Sequence, residues 1–301
     1  MRFSYLRLGL VAGLAAGVLA GCAALDEKQR AWIFQPTDRA WGNSAAVAEG
    51  MQDVWIEFDS RVSGQPVRLH GLWHAADRPA GRTNAHRCAP VLLYLHGARW
   101  DVRGSAGRIR RMQELGFSVL AIDYRGFGKS SPGLPSEAMA LEDARAGWDW
   151  LARQHPEAPR FIFGHSLGGG VAVQLAEQVG DQRGLILEGT FTSIPDVART
   201  MKWGWLPVGP LITQRFDSVA RIERVRSPVL VVHGTEDRLI PPELGQRLFD
   251  AAPEPKRFEL VQGGSHHNTN SVGQAQYRTA LPALFGTECF APARMTASAK
   301  P

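Results

Sequence analysis

Phe161-Ile162-Phe163-Gly164-His165-Ser166-Leu167-Gly168-Gly169-Gly170-Val171-Ala172 is the stretch whose reading decides the fold. Phe161–Phe163 is a short apolar run of the kind that fills a strand buried on both faces, and from Leu167 the pattern lengthens into a helix. Between them lies Gly164-x-Ser166-x-Gly168. A strand that becomes a helix within so few residues strains the serine backbone, and glycines two residues to either side remove the side chains that would clash. Such a turn lifts the Ser166 hydroxyl out at the carboxyl end of a sheet. It also sets the Leu167 N–H at a helix N-terminus, facing any negative charge that develops there. Ser166 is the candidate nucleophile and Leu167 a candidate oxyanion donor.

Working outward, similar apolar runs occur at Val91–Leu95, Ser118–Ile122, Leu185–Leu187, Val229–Val232 and Arg257–Leu260, with strand-like segments earlier at Asp53–Phe58 and Val67–Trp73. Helical patterns separate them. Ser136 is an N-cap for a helix through Leu141, Ala144, Trp148 and Leu151 that Pro156 ends. Leu167–Val179, Glu243–Ala251 and Gln274–Phe285 follow the same logic, while 77–89 reads as a loop from its Gly, Pro and Asn content. A mostly antiparallel start followed by a βαβ series predicts an α/β domain over 51–290, with a mostly parallel central sheet and helices on both faces. Residues 191–226 break the rhythm with Met201, Trp203, Trp205, Leu206, Val208 and Leu211. An insertion there is placed to form a small helical cap, or else a tryptophan-rich helix packed on the core. Residues 22–50 read as a surface tether and 291–301 as a tail.

A serine hydroxyl at its ordinary pKa is a poor nucleophile and needs a base that is itself oriented by an acid. His233-Gly234-Thr235-Glu236-Asp237 follows one strand and offers Glu236 and Asp237. Gly263-Gly264-Ser265-His266-His267-Asn268 follows the last strand and offers two adjacent histidines. Together with Leu95-His96-Gly97, Asp123-Tyr124-Arg125-Gly126-Phe127-Gly128-Lys129-Ser130, Gly164-His165-Ser166-Leu167-Gly168-Gly169 and Thr190-Phe191-Thr192-Ser193, these motifs resemble the depalmitoylase-like, serine aminopeptidase-like branch of the α/β-hydrolases over about residues 53–285. The resemblance implies the α/β-hydrolase fold and the chain order nucleophile, acid, base. It favours Asp237 as acid, His267 (which precedes Asn268) as base with His266 as the alternative, and the Ala98 N–H as second oxyanion donor. One departure stands out: that branch usually has Asn-Ala or Gly-Asn after His-Gly, where this chain has Ala98-Arg99-Trp100-Asp101, so substrate preference does not carry over.

The N-terminus carries Arg2 and Arg7 ahead of the uncharged run Leu8–Ala20, an export signal too short to span a bilayer comfortably. It ends in Leu19-Ala20-Gly21-Cys22, which resembles the bacterial lipoprotein box. The resemblance implies removal of residues 1–21, acylation of Cys22 and, with Ala23 rather than Asp next, an outer-membrane anchor facing the periplasm. Loss of the leader leaves 32 basic against 29 acidic side chains, a mild excess with no basic cluster that would suit nucleic acid. Cys88 and Cys289 then remain. They lack metal-ligand spacing, and in an oxidising compartment they are free to pair.

Two decoys fall away. Gly128-Lys129-Ser130 would need glycine at 123 for a phosphate loop, and Asp123 is there. Gly168-Gly169-Gly170 does not build a dinucleotide fingerprint, so no cofactor is implied. The expected activity is hydrolysis of a small-molecule acyl ester or thioester through an acyl-enzyme. The tryptophans of the cap and the membrane anchor point to a medium-to-long acyl chain. The alternatives are a peptidase or amidase of the same fold, and a non-catalytic envelope lipoprotein.

Overall fold

Along the buried strands alternate side chains go to opposite faces, and two apolar layers build up on one sheet. Val91, Leu93 and Leu95 join one layer while Leu92 and Tyr94 join the other; Val229 and Val231 alternate likewise with Leu230 and Val232. The structure, a computed structural model, describes residues 17, 20–76 and 88–290. Most of the expected leader, part of the 77–89 loop and the 291–301 tail lie outside the described residues.

All eight expected strands form. They are β1 (Gln52–Asp59), β2 (Pro66–His74), β3 (Val91–Leu95), β4 (Ser118–Ile122), β5 (Arg160–His165), β6 (Gly184–Glu188), β7 (Val229–Gly234) and β8 (Lys256–Val261). Their order across the sheet is β1-β2-β4-β3-β5-β6-β7-β8. β2 is antiparallel to both β1 and β4, and every later pairing is parallel. Register aligns Leu95 with Gly164, Gly164 with Leu187, and Leu187 with Val231. The carboxyl ends of β3, β5, β6 and β7 therefore lie level, the edge at which open α/β sheets hold their ligands.

On one face lie α4 (Glu137–Gln154) and α5 (Leu167–Val179); Ser136 Oγ accepts the Met139 N–H at 3.2 Å and starts the first. On the other lie α3 (Ala106–Glu114) and α10 (Gln274–Phe285). α3 has no counterpart in the sequence reading, because one of its buried positions is an arginine, Arg108, rather than an apolar residue. The 191–226 insertion carries α6 (Ile194–Thr200) and α7 (Val219–Ile222), joined by an irregular stretch. α8 (Pro242–Ala251) and α9 (Thr269–Val272) complete the loops after β7 and β8. Cys88 is disulfide-bonded to Cys289, with Cα atoms 4.8 Å apart.

The segment read as a tether is structural. Residues 20–34 form a helix, α1, preceding the four-residue α2 (Ser44–Val47). Phe34 is fully buried and meets Phe216 edge-on at 5.8 Å. Gln29 donates to the Leu211 carbonyl, Asp26 accepts from Thr213 and Gln214, and Arg30 donates to the Pro135 carbonyl. Burying an aromatic side chain of this size stabilises its attachment by about 1.5–3 kcal/mol, enough to hold a segment that reads as polar by composition. Downstream, Arg99 N–H donates to Phe34 O (2.9 Å), Gly128 N–H to Thr37 O (3.1 Å) and Asp101 N–H to Arg39 O (3.1 Å), lacing 34–39 onto the loop after β3. Among the described residues no helix is long and apolar enough to cross a membrane.

Candidate active site

Ser166 sits between β5 and α5 with φ 56° and ψ −123°, a left-handed backbone that a side chain adopts only under constraint. The glycines around it are dictated by close approach. A Cβ at Gly168 would collide with the carbonyls of Leu95 and His96, and one at Gly164 would come within 2.5 Å of Gly168 O. Gly97, on the neighbouring loop, would place a Cβ 3.1 Å from that of Ser166. The loop after β3 is thus pressed against the serine.

Asp237 and His266 complete the arrangement. His266 Nε2 lies 2.9 Å from Ser166 Oγ, and His266 Nδ1 lies 2.8 Å from Asp237 Oδ2. Of the two candidate acids it is Asp237, not Glu236, that meets the histidine: Asp237 is buried beneath it, whereas the Glu236 side chain is exposed. Burial alone would raise the Asp237 pKa. Hydrogen bonds from His233, His266 and the Ile240 N–H outweigh it and hold the carboxyl well below the usual carboxylate range. Its Oδ1 accepts the N–H groups of Leu239 and Ile240 at 3.0 and 2.9 Å, fixing its orientation. A carboxylate has no proton to give, so Nδ1 carries the hydrogen and Nε2 is left to accept from the Ser166 hydroxyl.

His267, the expected base, does not reach the serine. Its ring stands edge-on to Trp41 at 4.3 Å on the exposed side of the loop, and burial, together with the nearby His266 and Arg108, depresses its pKa to about 4. The correction has a simple cause: neighbouring residues of a tight loop point in opposite directions. Ser265 N–H donates to Asn268 Oδ1 (2.7 Å), and Glu236 N–H donates to Gly264 O (2.8 Å), pinning the loop so that residue 266 faces inward.

Leu167 and Ala98 both border the cavity beside Ser166, and among the described residues neither N–H has an acceptor within the protein. His96 is buried between Tyr124 and Phe127, and its Nδ1 lies 2.7 Å from the Gly97 carbonyl rather than near Ser166 Oγ.

Arg108 is a residue that the sequence reading missed. From α3 its Nε donates to Glu188 Oε1 (2.8 Å) at the end of β6, and its Nη2 donates to the carbonyls of both His266 and His267 (3.1 Å each). The same nitrogen lies 3.0 Å from His165 Nε2, and Tyr277 OH donates to the other Glu188 oxygen at 2.6 Å. Burial opposes the charge on Arg108, but Glu188 more than offsets it. One planar fork thus ties the histidine loop to β6. No motif spacing announces it, because the six residues come from five elements.

The serine opens onto a cavity of about 440 Å³, within the usual range for small-molecule sites. Its walls are largely apolar: Phe191, Ile194, Val197 and Met201 from the insertion, Leu239 and Ile240 after β7, and Trp32, Ile33 and Trp41 from the N-terminal segment. Trp203 and Trp205, expected to face this space, point into solvent instead, 62% and 73% exposed. Among the described residues no cluster of side chains is arranged to hold a metal ion.

The profile of the family described as "serine aminopeptidase, S33" matches residues 87–220 and 211–271. The chain belongs to this family of α/β-hydrolases. It is similar to an uncharacterised protein of Mycobacterium tuberculosis, 35% identical over 263 residues and 87% of each chain. It is also similar to the lysophosphatidylserine lipase ABHD12 of Danio rerio, 34% identical over 218 residues, which are 62% of this chain and 56% of that one. Among solved structures it shares its fold with the Pyrococcus furiosus esterase Pf2001 (TM-score 0.64, 21% identity, 84% of this chain and 99% of that one). A puromycin-hydrolyzing peptidase of M. tuberculosis shows the same fold (TM-score 0.61, 17% identity, 80% and 40%). The chain is therefore an α/β-fold hydrolase.

Proposed function

We propose that the protein is a serine esterase or thioesterase that cleaves medium-to-long acyl esters. The observation that carries the reading is the relay from Asp237 through His266 to Ser166 at the floor of an apolar cavity. Ser166 Oγ attacks the acyl carbonyl carbon as its proton passes to His266 Nε2. The Leu167 and Ala98 N–H groups hold the oxyanion, and Asp237 stabilises the imidazolium. His266 returns the proton to the leaving alcohol or thiol. Water, deprotonated by the same histidine, then releases the acid from the acyl-enzyme.

The cavity's charge supports ester rather than aminopeptidase chemistry. A free α-amino group needs a carboxylate close by, and among the described lining residues there is none; the charged groups are Arg99 and Arg108. Arg99, exposed at the rim, suits an anionic group on the alcohol side, as in the monoacyl phospholipid that gives the Danio rerio relative its name.

We further propose that the mature chain is exported and anchored through acylated Cys22. The Cys22 side chain is free and exposed at the start of α1, and the Cys88–Cys289 disulfide suits an oxidising compartment.

Labelling with a fluorophosphonate probe tests the enzyme reading, with label expected on the parent and absent from Ser166→Ala. A parent that never labels sinks it in favour of a non-catalytic scaffold. A chain-length series of p-nitrophenyl esters, with thioester and amide counterparts, tests the substrate class. Turnover of acetyl alone, or of amides over esters, overturns it.

A further inference from the structure

The cavity mouth is bordered by apolar side chains that water leaves unpaired. Trp32, Trp41, Met201 and Leu239 both line the cavity and stand 54%, 43%, 40% and 49% exposed. Just beyond Met201 in the chain, the insertion leaves Trp203, Trp205, Leu206, Val208 and Leu211 exposed as well. An exposed apolar face of this extent around a pocket mouth is costly in water unless something covers it.

Its position points to what does. Cys22, Leu25, Gln29 and Trp32 fall on one stripe of α1 at helical spacing, and Gln29, in the middle of that stripe, donates to the carbonyl of Leu211. The stripe that begins at the anchor residue therefore runs alongside the exposed part of the insertion and ends at the cavity rim. At a rise of about 1.5 Å per residue, Trp32 lies roughly 15 Å along the helix from Cys22. From Met201 to Phe216 the insertion carries Lys202 and Arg215 and no carboxylate, and Lys202 Nζ lies over the Trp203 ring at 5.7 Å. Tryptophans flanked by basic residues suit the headgroup layer of an anionic membrane, and the nearby Asp26 of α1 is taken up by hydrogen bonds from Thr213 and Gln214.

We infer that this face docks flat on the lipid surface, with Trp203 and Trp205 in the headgroup layer, so that acyl substrates enter the cavity from the bilayer. Trp203 and Trp205 serve the docking and take no part in the cavity. The inference rests on the esterase reading for its substrate and on the Cys22 anchor for its orientation. The docking itself is measured separately from both.

The test uses the full chain, reconstituted in phosphatidylcholine/phosphatidylglycerol vesicles whose lipids are brominated near the glycerol. An anchored chain stays on the vesicle whatever its face does, so the readout is quenching of tryptophan fluorescence rather than partition. The parent is expected to be quenched, and Trp203→Ser/Trp205→Ser to lose most of that quenching. The double variant should turn over a soluble short ester like the parent, yet hydrolyse a long-chain ester embedded in the vesicle about tenfold more slowly. Unquenched parent tryptophans, equal quenching in the variant, or a dimer in sedimentation that shields both tryptophans would each overturn the docking. If the esterase reading alone fails, fluorophosphonate labelling and soluble-ester turnover are absent while the quenching persists.

Discussion

His266 and His267 carry the same side chain on adjacent residues of one loop, yet His266 is the one 2.9 Å from Ser166 Oγ, and His267 turns to Trp41. We expect His266→Ala to lower kcat on the order of 10⁴-fold or more, and His267→Ala to stay within several-fold of the parent. The reverse pattern in a p-nitrophenyl ester assay would reassign the base. His267 matters to stability in another way. Its folded pKa, about 4, lies below the unfolded value near 6.5. On acidification the unfolded chain takes up that proton first, so stability is intact above about pH 6.5 and falls progressively toward pH 4. Buried His165, also depressed and further disfavoured by Arg108, acts in the same direction. Urea midpoints should fall less between about pH 7 and pH 4.5 in His267→Gln than in the parent; an equal fall would remove His267 from the account. This is also where the sequence ran out. The serine was legible because its turn demands glycines at 164 and 168. The parity of a loop after the last strand is decided by hydrogen bonds from Ser265 and Glu236, which carry no local signature.

Elements built from continuous apolar runs were legible throughout: six of the eight strands lie where such runs predict them, and β1 and β2 lie on the two earlier strand-like segments. α3 was not, since it turns a charged residue inward: Arg108 is 8% exposed and bridges Glu188 to the histidine loop. The bridge sets up two different losses. Arg108→Leu leaves Glu188 buried without its partner and should cost about 3–5 kcal/mol of unfolding free energy in urea titrations. Arg108→Lys keeps the charge but not the planar fork that spans both loop carbonyls. It should leave the fold intact and lower kcat roughly tenfold at nearly unchanged KM, as expected for a histidine held slightly out of line. A rise in KM with unchanged kcat would show that Arg108 serves the substrate instead. α1 escaped notice for a related reason: Trp32-Ile33-Phe34 is too short to signal a helix, and its burial depends on Phe216, far along the chain.

At the scale of the molecule, one covalent link spans the described domain. The Cys88–Cys289 disulfide joins the segment before β3 to the residues just after α10, across 201 residues. Loop-closure entropy for so long a span corresponds to about 5 kcal/mol, with about 2–5 kcal/mol usually realised. Cys88→Ser, or reduction of the parent, should lower the unfolding free energy by that amount while fluorophosphonate labelling of the folded protein persists. Indistinguishable urea curves with and without reductant would show that the link adds nothing. Both cysteines were visible in the sequence, but their pairing depends on how β3 and α10 lie in space, a long-range fact that spacing along the chain does not encode.

The lacing of residues 34–39 onto the loop after β3 bears on where the protein can be cut. Arg99 has φ 81°, a left-handed backbone next to Ala98, and its N–H is held by the Phe34 carbonyl. On the proposed Cys22 anchor, a protease that clips between Cys22 and Leu25 would free an enzyme with this brace intact, able to act at a distance from its site of attachment. A cut just beyond Phe34 would remove the acceptor, the buried aromatic ring and one wall of the cavity together, and the shed product should be inert. N-terminal sequencing of naturally released forms, set beside their esterase activity, would separate release from inactivation.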